Sequence, residues 1–403
     1  MSETNDEKSA LVPRLRFSEF READGWIAKS LKNACEVNPA NSALPEQFVY
    51  IDLESVESGE LKARKIINRD EAPSRAQRLL RYGDVIFQIV RPYQRNNLHF
   101  KIDEEVPYVA STGYAQLRAN ESEDFLFQAV HTDDFVERVI AKCTGSSYPA
   151  INSSDLADIS LAIPSKAEQQ KIADCLSSLD ELITAETHAL AALKTHKKGL
   201  MQQLFPRDGE TVPRLRFPEF REVGEWEDKS VGEVFRVTRG EVLAMPRVKD
   251  TPSADFPYPV YSSQTKNNGL AGYYSEYLFE DAITWTTDGA NAGEVNFRPG
   301  KFYCTNVCGV LLNLQGWANT FVAALLNSIT RKYVSYVGNP KLMNGVMSEI
   351  VLPFPSLPEQ QRIAECLSSI DDLITAQSQK INALKTHKQG LMQQLFPSMP
   401  EGI

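Results

Sequence analysis

The 403-residue chain has no apolar run near the roughly 18 residues that a membrane-spanning helix needs. Its start, MSETNDEKSA, is polar and acidic and predicts no secretory leader. The six cysteines are scattered without a CxxC pair; the nearest two are Cys304 and Cys308, and Cys175 and Cys366 sit at one repeated position. That spacing predicts reduced thiols and a cytoplasmic protein rather than a disulfide framework. The five histidines do not cluster with cysteine, so no metal site is expected. No GxxxxGKS or GxxxxGKT phosphate loop, HExxH, GxSxG, Asp/Glu-Lys nuclease pattern or FxGxG cofactor loop is present, and Asn339-Pro340-Lys341 departs at its third position from the Asn-Pro-Pro-Tyr of amino-methyltransferases. These absences argue against ATP hydrolysis and against catalysis by this chain, and leave recognition as its role. Positive charge is also short overall. With 43 Lys and Arg against 53 Asp and Glu the net charge is −10, which counts against a nucleic-acid binder taken as a whole.

What the chain does have is a sequence written twice. Residues 168–206 recur at 359–397 with about 28 of 39 positions identical, at a constant offset of 191. A shorter leader, VPRLRFSEFRE at 12–22, recurs as VPRLRFPEFRE at 212–222. Between these lie two blocks, roughly 25–164 and 224–355, that are far less alike. The period is too long for a solenoid of small stacked units. It describes a repeated frame presenting two different readers: a tail over 1–11, a first domain over 12–164, a helix over 165–206, a second domain over 207–355, a second helix over 356–397 and a tail over 398–403. Two domains of about 140 residues fit the usual domain size.

Each repeated segment starts after proline and stops at Phe-Pro, as a helix should. In the first, Ile172, Leu176, Leu179, Ile183, Glu186, Leu190, Leu193, Lys197, Leu200 and Leu204 are spaced four and three apart without a slip. The second copy repeats the seam with Gln377 and Lys388 as its polar members. A heptad seam of this length predicts a coiled coil. Antiparallel packing that sets Glu186 against Lys388 also sets Lys197 against Gln377, because both pairs sum to 574. The expectation is therefore one intramolecular antiparallel coiled coil in that register. Gly199 and Gly390, late in the helices, mark either close approach of another backbone or a tolerated glycine near a helix end.

Both variable blocks read as mixed α/β. Strand-like runs fall at 48–53, 84–90 and 159–163 in the first, with a helical run at 124–142. In the second, strands are expected at 258–261, 282–286, 307–314 and 350–354, and a helix at 319–336. The stretch 62–101 carries ten Lys and Arg, including Arg75 and Arg78, against Asp70, Glu71 and Asp84. Within it, Arg91, Tyr93, Gln94, Arg95, Asn96 and Asn97 crowd into one loop with side chains able to contact base edges or phosphates. In the second block Tyr261, Ser263, Gln264, Lys266, Asn267 and Asn268 play the same part, and the glycine-flanked Asn291 admits close backbone approach to a phosphate. The loops before the last strands add Ser147 and Tyr148 in one block and Asn339, Lys341 and Asn344 in the other. Asn- and Gly-rich stretches are also ordinary turns, so the chemistry alone leaves both readings open.

The Pro-x-x-Pro-Glu-Gln-x-x-Ile-Ala opening of the second repeat (Pro355 to Ala364), the Gln-Leu-Phe-Pro close of both and the RLRFPEF leader together resemble the DNA specificity subunit of type I restriction–modification systems. In the first copy Lys166-Ala167 stands where the second has Leu357-Pro358, a departure that touches only the helix start. The resemblance covers nearly the whole chain. It implies two α/β target-recognition domains joined by a pseudo-twofold antiparallel coiled coil, each domain reading one half of a bipartite double-stranded DNA site. It implies further that the chain is not itself an enzyme and holds no cofactor. Two methyltransferase subunits would bring S-adenosylmethionine and methylate adenine N6, and a motor-nuclease subunit would bring ATP and Mg. A recognition chain serving a methyltransferase alone, or a coiled-coil scaffold with two protein- or sugar-binding domains, are the alternatives.

Overall fold

The computed structural model describes residues 11–400 other than 42, 58, 208, 264, 265 and the side chain of Lys266. The chain divides into two compact units, one made of Met1–Thr187 with Lys380–Ile403 and the other of His188–Gln379. Two 39-residue helices, Lys166–Leu204 and Leu357–Leu395, carry the repeated segments. Each unit contains the first half of one helix and the last half of the other. The tails expected over 1–11 and 398–403 lie mostly outside the described residues. Leu11, however, bridges to Trp26, and both it and Met399 are buried in the first unit's core, so these two apolar residues belong to the fold.

In the first unit Ile27–Ser30 pairs antiparallel with Ser160–Ile163, so the start and end of the variable block lie side by side. One four-stranded sheet has the order Cys35–Val37, Tyr114–Ala119, Val85–Gln88, Leu98–His99. A second is ordered Lys65–Asn68, Gln47–Ile51, Tyr108–Ser111, Ala76–Leu79 and contains a parallel pair. The helical run expected over 124–142 is two helices, Glu123–Ala129 and Asp133–Ala141. The break falls at Thr132, whose side chain caps the second helix by accepting the Phe135 N–H.

The second unit repeats the plan. Glu227–Ser230 pairs with Val351–Phe354, and a six-stranded sheet is ordered Arg236–Arg239, Cys308–Leu312, Phe279–Thr286, Val295–Cys304, Tyr258–Tyr261, Leu270–Tyr274. The three strands common to both units match residue by residue: Tyr114 faces Gln88 and Leu117 faces Val37, while Cys308 faces Thr286 and Leu311 faces Val237. The helix expected over 319–336 runs from Thr320 to Ile329 and tightens into a 3-10 turn at Thr330–Tyr333.

The leader and the helix start are joined in each unit by the same buried clasp. Arg16 holds Glu168 through two bonds of 2.7 Å and also donates to the carbonyls of Ala23 and Asp24. Arg216 holds Glu359 in the same way at 2.7 Å and donates to the carbonyls of Val223 and Gly224. The side chains are 7% and 1% exposed in the first pair and 8% and 1% in the second. A forked guanidinium on a carboxylate is among the strongest of charge-assisted contacts, and the spare donors are used on backbone. The adjacent glutamines close the corner: Gln169 donates to the Pro164 carbonyl and Gln360 to that of Pro355.

Within each unit the helix halves run antiparallel, as the seam predicts, but with different polar partners. Lys388 donates to both oxygens of Asp180 at 2.6 and 2.7 Å, and Glu186 accepts from Lys380 at 2.6 Å. In the second unit Lys197 donates to both oxygens of Asp371 at 2.6 and 2.8 Å. Asp180 and Asp371 occupy one repeat position and Lys388 and Lys197 another. The register that pairs Glu186 with Lys388 and Lys197 with Gln377 is thus corrected. A lysine on the seam extends to a carboxylate beside it, near water, and needs no partner directly across the interface. A Cβ added at Gly199 or Gly390 would meet nothing within 4 Å, so no close backbone approach among the described residues accounts for either.

Core packing shows how one frame accepts different residues. Phe87 and Ala115 pair across neighbouring strands in the first unit, and their counterparts in the second are Trp285 and Gly309. A Cβ at Gly309 would lie 2.1 Å from the Trp285 ring, whose indole N–H donates to the Leu342 carbonyl at 3.1 Å. We expect Gly309→Ala to destabilise the protein by about 1–3 kcal/mol through overpacking. In Trp285→Phe/Gly309→Ala, which copies the first unit's pair, much of that loss should return. Denaturant unfolding of the single and double variants measures both; a neutral Gly309→Ala would refute the account.

Candidate nucleic-acid interface

The loop before the last strand is closed and anchored alike in both units, although its positive φ falls at Gly145 in one turn and at Gly338 in the other. Thr144 and Ala150 bridge across the turn 145–149, as Ser335 and Lys341 do across 336–340. The loop after the shared central strand docks on it: the Arg91 N–H donates to the Pro149 carbonyl at 2.7 Å, and the Gly289 N–H to that of Pro340 at 2.9 Å. Loop 91–97 therefore corresponds to the loop that begins at Gly289 and contains Asn291. The sequence-based match of 91–97 to 261–268 is corrected here, because 261–268 is the hairpin between Tyr258–Tyr261 and Leu270–Tyr274.

In the first unit the loop is organised from beneath by Gln88, which is buried at the end of its strand. Its N–H donates to Asn97 Oδ1 at 2.7 Å, its Oε1 accepts the Asn96 N–H at 3.1 Å, and its Nε2 donates to Gln94 Oε1 at 2.9 Å. Asn97 is 1% exposed, and its amide lies 3.1 Å from His131 Nε2. The Arg95 guanidinium binds Asp133 at 2.6 Å and the His131 carbonyl at 3.1 Å. Asn97 and the Arg95 side chain, both expected to face DNA, thus hold the loop to the helix behind it. A buried amide must be paired, and here its partners lie inside the protein; the partly exposed Arg95 adds a tie of its own. Tyr93, Gln94, Ser147 and Tyr148 are exposed, and the Arg91 guanidinium stacks 4.1 Å from the Tyr148 ring centre. Arg75 is exposed on the neighbouring sheet. Arg78 is half-buried there, and burial disfavours its charge. Much of the basic excess over 62–101 is neutralised locally, with Arg64 on Glu104, Lys62 on Glu60 and Lys101 on Asp124.

In the second unit Asn291, Asn339 and Lys341 share one loop cluster, with Lys341 Nζ 3.7 Å from Asp288. Asn344 donates to the Thr238 carbonyl at 3.3 Å and so ties the following helix to the sheet. Ser263 is partly buried in the other loop, Gln264 lies outside the described residues, and Lys266 is described by its backbone only. Asn267 and Asn268 are exposed with φ of 50° and 57°, the conformation of a tight hairpin turn that asparagine tolerates. Tyr261 stacks on the buried Arg298, whose guanidinium carbon is 3.8 Å from the ring centre. Gln88, His131 and Arg298 escaped the sequence reading because buried polar residues carry no periodic signal. The Pro149 and Pro340 contacts were visible in principle, since the offset of 191 extends upstream to both prolines.

The model of the type I restriction modification DNA specificity domain matches this chain twice, over residues 60–195 and 224–386. The chain belongs to that family. A type I specificity subunit of Mycoplasma pneumoniae is 32% identical over 232 residues, covering 56% of this chain and 80% of the relative. The amino-terminal part of another from the same organism is 39% identical over 142 residues, covering 34% of this chain and 74% of that part. Among solved structures, a type I restriction–modification S subunit from M. genitalium aligns with a TM-score of 0.64 at 16% identity, over 97% of this chain and all of that one. At that identity the likeness speaks to the fold, which it shares. As a specificity subunit of this family, the protein carries two family domains in a mixed α/β fold. Among the described residues, no group of His, Cys, Asp and Glu is arranged to hold a metal, and no helix is long and apolar enough to cross a membrane.

Behind the first unit's loop, burial pushes His131 and His99 down to about 4 from an ordinary 6.5. The Phe127 carbonyl and Asp180 oppose this at His131, while Lys388 and Arg95 add to it; Lys101 adds to it at His99, against Asp124 and Glu123. Both rings are therefore neutral in the fold and protonate more readily when it opens. Their stabilisation is complete above 6.5 and is lost as pH falls towards 4. The melting temperature should fall across that window, and the fall should be shallower in His99→Gln/His131→Gln. Equal slopes in the two proteins would overturn the assignment.

Proposed function

We propose that each unit reads one half of a bipartite double-stranded DNA site through the loop cluster around Pro149 or Pro340. One observation carries this reading. The clasp, the helices and the hydrogen bonds that anchor the loops are repeated between the units, while the side chains on the loops, Arg91 and Tyr148 against Gly289 and Asn339, are not. A constant frame with divergent tips suits a protein that offers equivalent surfaces to identical partners and different surfaces to two sequences. In this reading the chain is non-catalytic, holds no cofactor and works in the cytoplasm. Two methyltransferase subunits dock on the helices, bring S-adenosylmethionine and methylate adenine N6, flipping the base from the duplex. Leu182 and Leu373, one repeat position exposed at 40% and 56%, suit such paired docking. A motor-nuclease subunit with ATP and Mg joins for restriction, and the helices set the spacer between half-sites.

Sequencing N6-methyladenine in cells that express this chain with its methyltransferase subunit tests the reading. The expected result is a new motif with two specific halves and a fixed unspecified gap. A complex that forms but methylates no motif would favour a scaffold role instead, as would binding insensitive to salt. Deleting one heptad from each helix removes about 10 Å of rise and should shorten the gap by about 3 base pairs. An unchanged gap would reject the spacer role.

A further inference from the structure

We propose that Arg91 recognises a guanine in the half-site of the first unit, an assignment that rests on the DNA-recognition reading above. The backbone at this position needs a positive φ in both units. In the second unit it is Gly289, with φ 95°, and glycine adopts that conformation freely. The first unit places an arginine there, at φ 55° and ψ 55°. An L side chain in the left-handed region is strained by about 1 kcal/mol or more and persists where surrounding structure or function requires it.

Packing does not require it. A Cβ added at Gly289 would meet nothing within 4 Å among the described residues, so the shared frame leaves open space at this position. In the first unit a guanidinium stands beside that strained backbone, 4.1 Å from the exposed Tyr148 ring. Its Nε is shielded from solvent and has no hydrogen-bond partner among the described residues. Contact with the ring face restrains the guanidinium, whose two Nη groups are donors within its own plane. Two restrained, coplanar donors match the O6 and N7 acceptors on the major-groove edge of guanine. A phosphate contact would not need the strained backbone, since a lysine on a flexible stem also binds phosphate, as a point charge. The second unit lacks both halves of the device, having Gly289 and Asn339 where the first has Arg91 and Tyr148.

The test uses the complete methyltransferase complex on duplexes in which each base of the motif is replaced in turn. The wild-type chain should prefer guanine at one position of the first half-site by roughly 5- to 150-fold, the range of a bidentate contact. Arg91→Gly, which adopts the second unit's solution, should lose that preference alone and keep every preference in the second half-site. It should melt no lower than wild type, because a strained residue is replaced by glycine. Arg91→Lys should lose the same preference, and Tyr148→Ala should weaken it. Retention of every preference in Arg91→Gly would overturn the proposal, as would uniform weakening at all positions with a shallower salt dependence, the mark of a phosphate contact. A wild-type complex with no base preference anywhere would instead defeat the recognition reading itself, so the two failures are distinct.

Discussion

The Arg16–Glu168 pair and its twin, Arg216–Glu359, sit where leader, helix start and the flanking strand pair converge, and neither charge is tolerable there alone. Removing one partner of a buried pair typically costs about 3–5 kcal/mol, because the other is left desolvated. The arginine ties the backbone of the leader's turn, the carboxylate ties the helix, and the neighbouring glutamine ties the proline that precedes it. In the second unit the Trp226 indole also donates to Glu359, at 3.3 Å. In the first, Trp26 Nε1 has no partner among the described residues and its ring packs against Phe125 and Phe396. The direction in which each helix leaves its unit is set at this corner, which explains why the leader recurs in the chain although it is so short.

A fixed corner permits variation elsewhere. The central strands keep their pairing in both units while side chains exchange volume, as Trp285 with Gly309 replaces Phe87 with Ala115. The sheets around them differ in strand number and order. At the loop tips, even the residue type demanded by the backbone is overridden, with arginine held where glycine would be at ease. The hydrogen bonds that make this possible in the first unit come from Gln88 below the loop and from Asp133 behind Arg95.

The helices, their boundaries and their antiparallel sense were legible because heptad spacing and flanking prolines are local signals. The polar partners were not. Asp180 and Asp371 lie beside the seam, and a period-based reading gives no weight to a side chain that reaches inward from its edge. Strand runs such as Val85–Gln88 and Tyr258–Tyr261 were evident from their apolar and aromatic content. Short strands such as Cys35–Val37 or Ala76–Leu79 draw their order from neighbours far away in sequence. Of the candidate site, Tyr148 and Arg91 were found by chemistry and are brought together by the fold. Asn97 was chosen on the same grounds and is buried, while the partly exposed Arg95 is paired with Asp133, because a polar side chain in a loop does not announce which side it serves.

The first unit is not contiguous in the chain. Its core includes Leu395 and Met399, and Phe396 packs on Trp26 and Phe125. The second unit runs unbroken from His188 to Gln379. On the ribosome the second unit's residues are therefore all present before those of the first are complete, although the first begins synthesis earlier. The amino-terminal unit stays incomplete, without Phe396 against Trp26 and Phe125, until the segment that follows Gln379 emerges. A premature stop near the carboxyl terminus would then harm the domain encoded first while leaving the one encoded second intact.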